Sequence, residues 1–331
     1  MISIKYINYR IEKFLSNHQS DSLFIYSPSA LKNLTIQNLD NKINIHNLNK
    51  NVEFLDKIDL NLQNINNIIA IGGGSVIDIA KYLSYKLDKK LIVVLSAIST
   101  NAFSTNKACL YVGNQKVTIL TKEPDEVVYC DDYLAKANKI NLLGLMDVLS
   151  IHTALKDWEL SCVHNKEHLD YCFNLAKKLL KKVVLFLNKK TYEEIINNRK
   201  FILKVVCKSG VITNLYGSGR PESASEHIIA KFIEYQFDTI PHGIAVANGI
   251  ILASIMQNNI DYDVINLLKK LGICEFNLNY LIDEKFVFKI LTMLKPRPDR
   301  FTIIDLEEYS IKRKAEKIAL KWKELLYDYS K

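Results

Sequence analysis

Apolar residues in the first 135 positions fall into short runs of Ile, Leu and Val, separated by stretches whose apolar positions recur every three or four residues. SLFIYS (22–27), KINIH (42–46), IIAIGGG (68–74), LIVVLS (91–96) and EVVYCD (126–131) therefore read as strands. ALKNLTIQNL, NVEFLDKIDLNLQN and SVIDIAKYLSYKL read as the helices between them, and the opening MISIKYINYRIEKFL also has helical spacing. ACLYVGNQKVTIL predicts a hairpin turning at Gly113-Asn114. Uniformly apolar strands alternating with helices predict a parallel sheet covered on both faces. Beyond about residue 135 the strand signal fades and long amphipathic helical patterns follow. The expected organisation is an α/β domain over 1–135 and an all-α domain over 136–331.

Composition narrows this picture. A chain of 331 residues suits two separate interiors, and 48% apolar residues exclude global disorder. The formal charge of +8 is spread along a Lys-, Asn- and Ile-rich chain. Spread lysines describe a solvated surface first and a taste for small anions second. No basic cluster sits beside exposed aromatics, so nucleic acid is not an expected partner. No apolar run reaches membrane-spanning length, and the N-terminus lacks a signal-peptide pattern. The six cysteines (Cys109, Cys130, Cys162, Cys172, Cys207, Cys274) form no CxxC pair, which fits a reducing cytoplasm rather than a zinc ribbon or disulfide framework.

Two groups of residues carry candidate chemistry. Gly72-Gly73-Gly74-Ser75 lies between a strand and a helix, with Asp78 one turn in. Glycines there let the backbone approach a pyrophosphate, and the helix offers unpaired N–H groups. A plain tight turn is the competing reading, and the spacing is not GxGxxG. The second group is Asp147, His227 and His242, one carboxylate and two imidazoles suited to a zinc, iron or nickel ion. A single histidine is more often a packed or surface residue, but Pro241-His242-Gly243 opens a helix of small residues. His18, His46, His164 and His168 read as surface residues, and His152 is ambiguous.

IIAIGGGSVIDIAK resembles the cofactor loop of the iron-containing alcohol dehydrogenase and dehydroquinate synthase-like superfamily. Within it, MDVLSIHTALKDW, YGSGRPESASEHIIAKFIE, PHG and RPDRFTIID resemble glycerol-1-phosphate dehydrogenases, in family order from about residue 22 to 305. The resemblance implies a dinucleotide domain, a helical domain and an active site in the cleft between them. It implies NAD or NADP as cofactor, one divalent metal on Asp147, His227 and His242, and these three as catalytic residues. It implies cofactor contacts from Gly72, Gly73, Gly74, Ser75 and Asp78, with Ser96, Ser99 and Thr105 of LSAISTNAFST nearby. The implied reaction is reduction of a small phosphorylated ketone by hydride transfer, the metal polarising the ketone oxygen.

The substrate side departs from the family pattern. Asn101-Ala102 replaces an Asp-Gly pair, Lys231 replaces a histidine one turn after His227, Met146 replaces a glycine, and Ile244 replaces the glutamate of a frequent HGE. Asn101 and Lys231 both make the substrate side more cationic, which favours an anionic ketone or alcohol as partner. Arg220, Arg297 and Arg300 are further phosphate candidates, with loop or interdomain pairing the preferred reading for Arg220 and Arg300. A cyclase of dehydroquinate synthase type and a non-catalytic nucleotide-binding homologue remain alternatives, and a homo-oligomer is compatible with either.

Overall fold

The computed structural model describes residues 3–32, 34, 39, 41–58, 60, 64–237, 240–274, 283–298 and 300–327. Among the described residues there are eight strands: β1 Ile4–Ile7, β2 Ser22–Tyr26, β3 Lys42–Asn44, β4 Asn67–Gly72, β5 Lys90–Leu95, β6 Lys107–Val112, β7 Gln115–Leu120 and β8 Glu126–Cys130. The helices to residue 163 are α1 Ile11–Ser16, α2 Pro28–Leu31, α3 Val52–Lys57, α4 Gly74–Lys86, α5 Asp131–Ala135, α6 Asn138–Leu149 and α7 Ile151–Val163. Then come α8 Tyr171–Asn188, α9 Tyr192–Ile196, α10 Arg199–Tyr216, α11 Ser225–Gln236, α12 His242–Met256, α13 Tyr262–Lys270, α14 Glu284–Met293 and α15 Ile303–Tyr327. Two compact units result, residues 1–141 with 199–211, and residues 142–198 with 212–331.

The first unit holds a six-stranded parallel sheet in the order β1-β8-β5-β4-β2-β3. After their first residues, Asn67 and Lys90, its central strands are apolar because both faces are covered. On one face Phe24, Ile69, Ile71, Ile92, Val94 and Val128 pack with Phe14 and Leu15 of α1 and with Tyr133 of α5. β6 and β7 form the expected antiparallel hairpin, and Gly113 at its turn has φ +56°. One expectation is corrected. The opening segment is not helical throughout, because Ile4–Ile7 is a strand that pairs with β8 at the sheet edge. The backbone bonds of an edge strand override a short helical pattern. The helix expected over 30–39 is observed only as α2, whose first turn Ser27 caps. Residues 33, 35–38 and 40 of that segment, and 59 and 61–63 of the next, lie outside the described residues.

The second unit is helical among its described residues, and α12 is its central element. That helix is apolar on every side and buried for nearly its whole length, as a helix surrounded by others must be. Two of its glycines decide how closely neighbours approach. A Cβ on Gly243 would lie 2.7 Å from the carbonyl oxygen of Leu143 on α6, and one on Gly249 would overlap the carbonyl of Glu226 on α11. Only hydrogen at these positions permits backbone-to-backbone contact. Among the described residues no helix is long and apolar enough to cross a membrane.

Replacing Gly249 with Ala is expected to destabilise the protein by about 1–3 kcal/mol in urea unfolding, the usual cost of overpacking a rigid contact. An unchanged midpoint would show that α11 and α12 have slack at this point.

Candidate active site

The close contacts of α12 bring three donor groups together. Gly243 sets α12 against α6 one turn before Asp147, while Gly249 sets it against α11 beside His227. Nε2 of His227 lies 3.3 Å from Asp147 Oδ1, and Nε2 of His242 lies 3.6 Å from the same oxygen. One potential ligand atom from each of the three residues lies within 4.8 Å of the others. The Asp147 side chain is only 13% exposed.

Each imidazole is oriented from behind. Nδ1 of His227 is 2.8 Å from Glu226 Oε1, and Nδ1 of His242 is 2.5 Å from Glu234 Oε1. With Nδ1 donating to a carboxylate, Nε2 is the nitrogen turned toward Asp147. Glu226 is fully buried and also accepts from Thr153 Oγ1 at 2.8 Å and from the Ala224 N–H. The first turn of α11 is fixed further by Asp157, which accepts from the N–H of Ser225 at 3.0 Å and of Ile303 at 2.8 Å. One buried carboxylate thereby ties the starts of α11 and α15 to α7. Burial, with Glu226 nearby, pushes Asp157 up to about 6 despite those bonds.

Charge explains the remaining behaviour of the cluster. Burial disfavours the protonated imidazoles, yet hydrogen bonds to Asp147 and Glu226 push His227 up to about 9. Asp147 and Glu234 likewise push His242 up to about 10 against its burial. Burial works against ionised Asp147 as well, but the two histidines hold its carboxyl below the usual range. His152 follows another course. Burial pulls its imidazole down, and Nε2 rests 2.9 Å from the Asn259 carbonyl.

In the first unit, β4 ends at Gly72 and α4 begins at Gly74. A Cβ on Gly72 would overlap Val76, and one on Gly74 would lie 3.2 Å from Thr100 Oγ1. Gly73 is different, since its nearest neighbour would be Ser99 Oγ at 3.9 Å. Of the three glycines, Gly73 has open space. Ser75 is exposed on the first turn of α4. Asp78 is buried and paired at 3.7 Å with both Lys50 and Lys81. Thr105 is engaged by the fully buried Lys81, whose Nζ donates to Thr105 Oγ1 at 3.2 Å. Ser96 and Ser99 follow β5 and are half-buried.

The substrate candidates are not brought together into one unit. Asn101 opens a short 3₁₀ turn in the first, and Lys231 is exposed on α11 in the second. Arg220 has a structural role, with 1% side-chain exposure. It pairs with Glu167 at 2.6 Å and donates to the carbonyls of Asp157 and Phe301. Arg300 donates to the Ser223 carbonyl. Sequence reasoning missed Glu226, Glu234, Thr153, Asp157, Lys50 and Lys81. Glu226 was legible as a carboxylate adjoining a candidate ligand, and Lys81 as a lysine three residues from Asp78. The others meet their partners only through folding.

Residues 10–137 match the iron-containing alcohol dehydrogenase family. A probable glycerol dehydrogenase from Sinorhizobium meliloti 1021 superposes with a TM-score of 0.70 at 14% identity, covering 96% of this chain and 97% of that one. The architecture is thus the two-part α/β and α-helical fold of that structure. Glycerol-1-phosphate dehydrogenase [NAD(P)+] of Sulfolobus acidocaldarius is 30% identical over 244 residues, 72% of this chain and 69% of the relative. The enzyme of that name from Methanococcus aeolicus is 29% identical over 295 residues, 84% of this chain and 83% of its own length. The chain belongs to the glycerol-1-phosphate dehydrogenase family and is an oxidoreductase. That membership leaves the cyclase alternative without support.

In metal-free protein at neutral pH, His227 and His242 are expected to be doubly protonated and His152 neutral in imidazole nitrogen NMR. Neutral rings at both cluster positions would contradict the charge balance derived for them.

Proposed function

We propose that this protein reduces a small phosphorylated ketone with NADH or NADPH, dihydroxyacetone phosphate to glycerol 1-phosphate or a close analogue. One divalent ion would be held by Asp147, His227 and His242. The observation that carries the reading is the convergence of these donors, each imidazole already turned by a carboxylate behind it. One oxygen and two nitrogens suit zinc, nickel or iron and leave positions open for a substrate oxygen. When bound, such an ion supplies Lewis-acid polarisation of the carbonyl that accepts hydride.

The residues of the chain supply orientation and electrostatics. Glu226 and Glu234 fix the tautomers of His227 and His242 and make their Nε2 atoms better donors. They also change the charge expected at the site. Counting Asp147 alone, a divalent ion leaves a surplus of one positive charge. With both outer carboxylates included, the cluster carries one negative charge. Two protonated imidazoles give the same total, so a divalent ion takes the place of two protons. In the first unit, the open space at Gly73 and the N–H groups at the start of α4 suit a pyrophosphate. Lys231, one turn after His227, is assigned to the substrate phosphate, and Asn101 to the far end of the substrate.

Purified enzyme is expected to consume NADH or NADPH stoichiometrically with dihydroxyacetone phosphate, and His227→Ala to lose bound metal and nearly all turnover. Full activity in that variant, or faster turnover of free dihydroxyacetone, would overturn the proposal. Lys231→Ala is expected to raise KM for the phosphorylated ketone about fivefold, the scale of one exposed ion pair. Gly73→Ala separates turn from ligand site, because its Cβ has room in the protein. Its melting temperature is expected to hold while dinucleotide affinity falls at least tenfold, and unchanged affinity would reduce the glycines to a turn.

A further inference from the structure

The buried carboxylate of Asp78 has more cations than it needs. Lys81 Nζ lies 3.7 Å from Asp78 Oδ1, and Lys50 Nζ lies 3.7 Å from Asp78 Oδ2. Lys81 alone neutralises the carboxylate. Its side chain is wholly buried, and its ammonium also donates to Thr105 Oγ1, to the Thr105 carbonyl at 3.3 Å and to the Lys107 carbonyl. Lys50 is placed otherwise. Its side chain is 24% exposed, and Nζ donates to the hydroxyl of Ser75 at 3.2 Å, on the exposed first turn of α4. Of Asp78, Lys81 and Lys50, one positive charge is left over, at a helix start that already attracts anions.

This position is built by the fold. The N–H of Tyr111 in β6 donates to the Lys50 carbonyl at 2.9 Å, and Asn51 Nδ2 donates to the Gly113 carbonyl at 3.1 Å. The Gly113 N–H donates in turn to Glu53 Oε1 at 3.2 Å. The hairpin thus holds residues 50–53 at three points, and Asn51 caps α3 through the Glu53 N–H at 2.9 Å. The Lys50 backbone is held while its flexible stem reaches the glycine turn. A flexible four-carbon stem on a fixed backbone gives a point cation within reach of any phosphate seated at Gly73 and Ser75.

We propose that Lys50 is a ligand of the dinucleotide's pyrophosphate. It exchanges its bond to Ser75 for a phosphate oxygen while Lys81 keeps Asp78 neutralised. This rests on reading residues 72–75 as the dinucleotide loop. A contact to the pyrophosphate is shared by NADH and NADPH, so Lys50 strengthens both equally and does not choose between them.

Equilibrium binding of NADH, NADPH and adenosine, followed by calorimetry, tests this on wild-type protein, Lys50→Gln and Lys50→Arg. Lys50→Gln is expected to weaken NADH and NADPH alike, by about tenfold for one charge-assisted bond, and to leave adenosine unchanged. Lys50→Arg is expected to recover most of the loss, and added salt to weaken wild type more steeply than Lys50→Gln. A loss confined to NADPH would overturn the assignment in favour of the ribose 2′-phosphate. Unchanged affinities with a lowered melting temperature would make Lys50 a structural counter-ion only. Failure of wild type to bind either dinucleotide would instead sink the reading of the loop itself.

Discussion

Contact between helix backbones without intervening side chains is the constraint on which the candidate site depends. Gly243 and Gly249 lie six residues apart on α12, and each removes the side chain that would separate it from a neighbouring carbonyl. A methyl group at either position forces α12 outward, and a coordination site tolerates displacements of only about 0.5 Å. The apolar surroundings of α12 supply the pressure that keeps these contacts closed. Burial of that kind normally excludes charge. Here the cost is offset by alternation of sign, with Glu226, His227, Asp147, His242 and Glu234 forming one chain of hydrogen-bonded or ion-paired contacts.

The first unit solves a related problem with different parts. Asp78 is a carboxylate in the interior beside a helix start, and left alone it would repel any anion there. Lys81, fixed by carbonyl and hydroxyl oxygens, cancels it from inside. The helix dipole and Lys50 then both add positive potential at the start of α4. This charge balance accounts for how the glycine turn tolerates a buried aspartate.

Much of this was legible in the sequence, for reasons that differ by element. The central strands were readable because burial on both faces leaves an uninterrupted apolar run, and the hairpin because Gly113-Asn114 marks its turn. Asp147, His227 and His242 were readable through motif resemblance, since their spacing alone says nothing of convergence. Ile4–Ile7 was misread because a four-residue edge strand has too few positions to show a period. Arg220 and Arg300 illustrate the limit of residue type as a guide. Both offer guanidinium groups, yet Arg220 is held by Glu167 and two backbone carbonyls and Arg300 donates to a third, all inside the second unit. Glu234 and Lys50 were invisible because their partners lie eight and twenty-five residues away, and only tertiary packing selects them.

The central claim is that α6, α11 and α12 present one carboxylate and two oriented imidazoles to a single divalent ion. X-ray absorption at the metal edge of zinc-loaded protein tests it most directly. One ion per chain is expected, with two imidazole nitrogens in its shell and the remainder oxygen, at about 2.0–2.2 Å. A spectrum dominated by sulfur, a shell without imidazole, or zinc that dialyses away would contradict it.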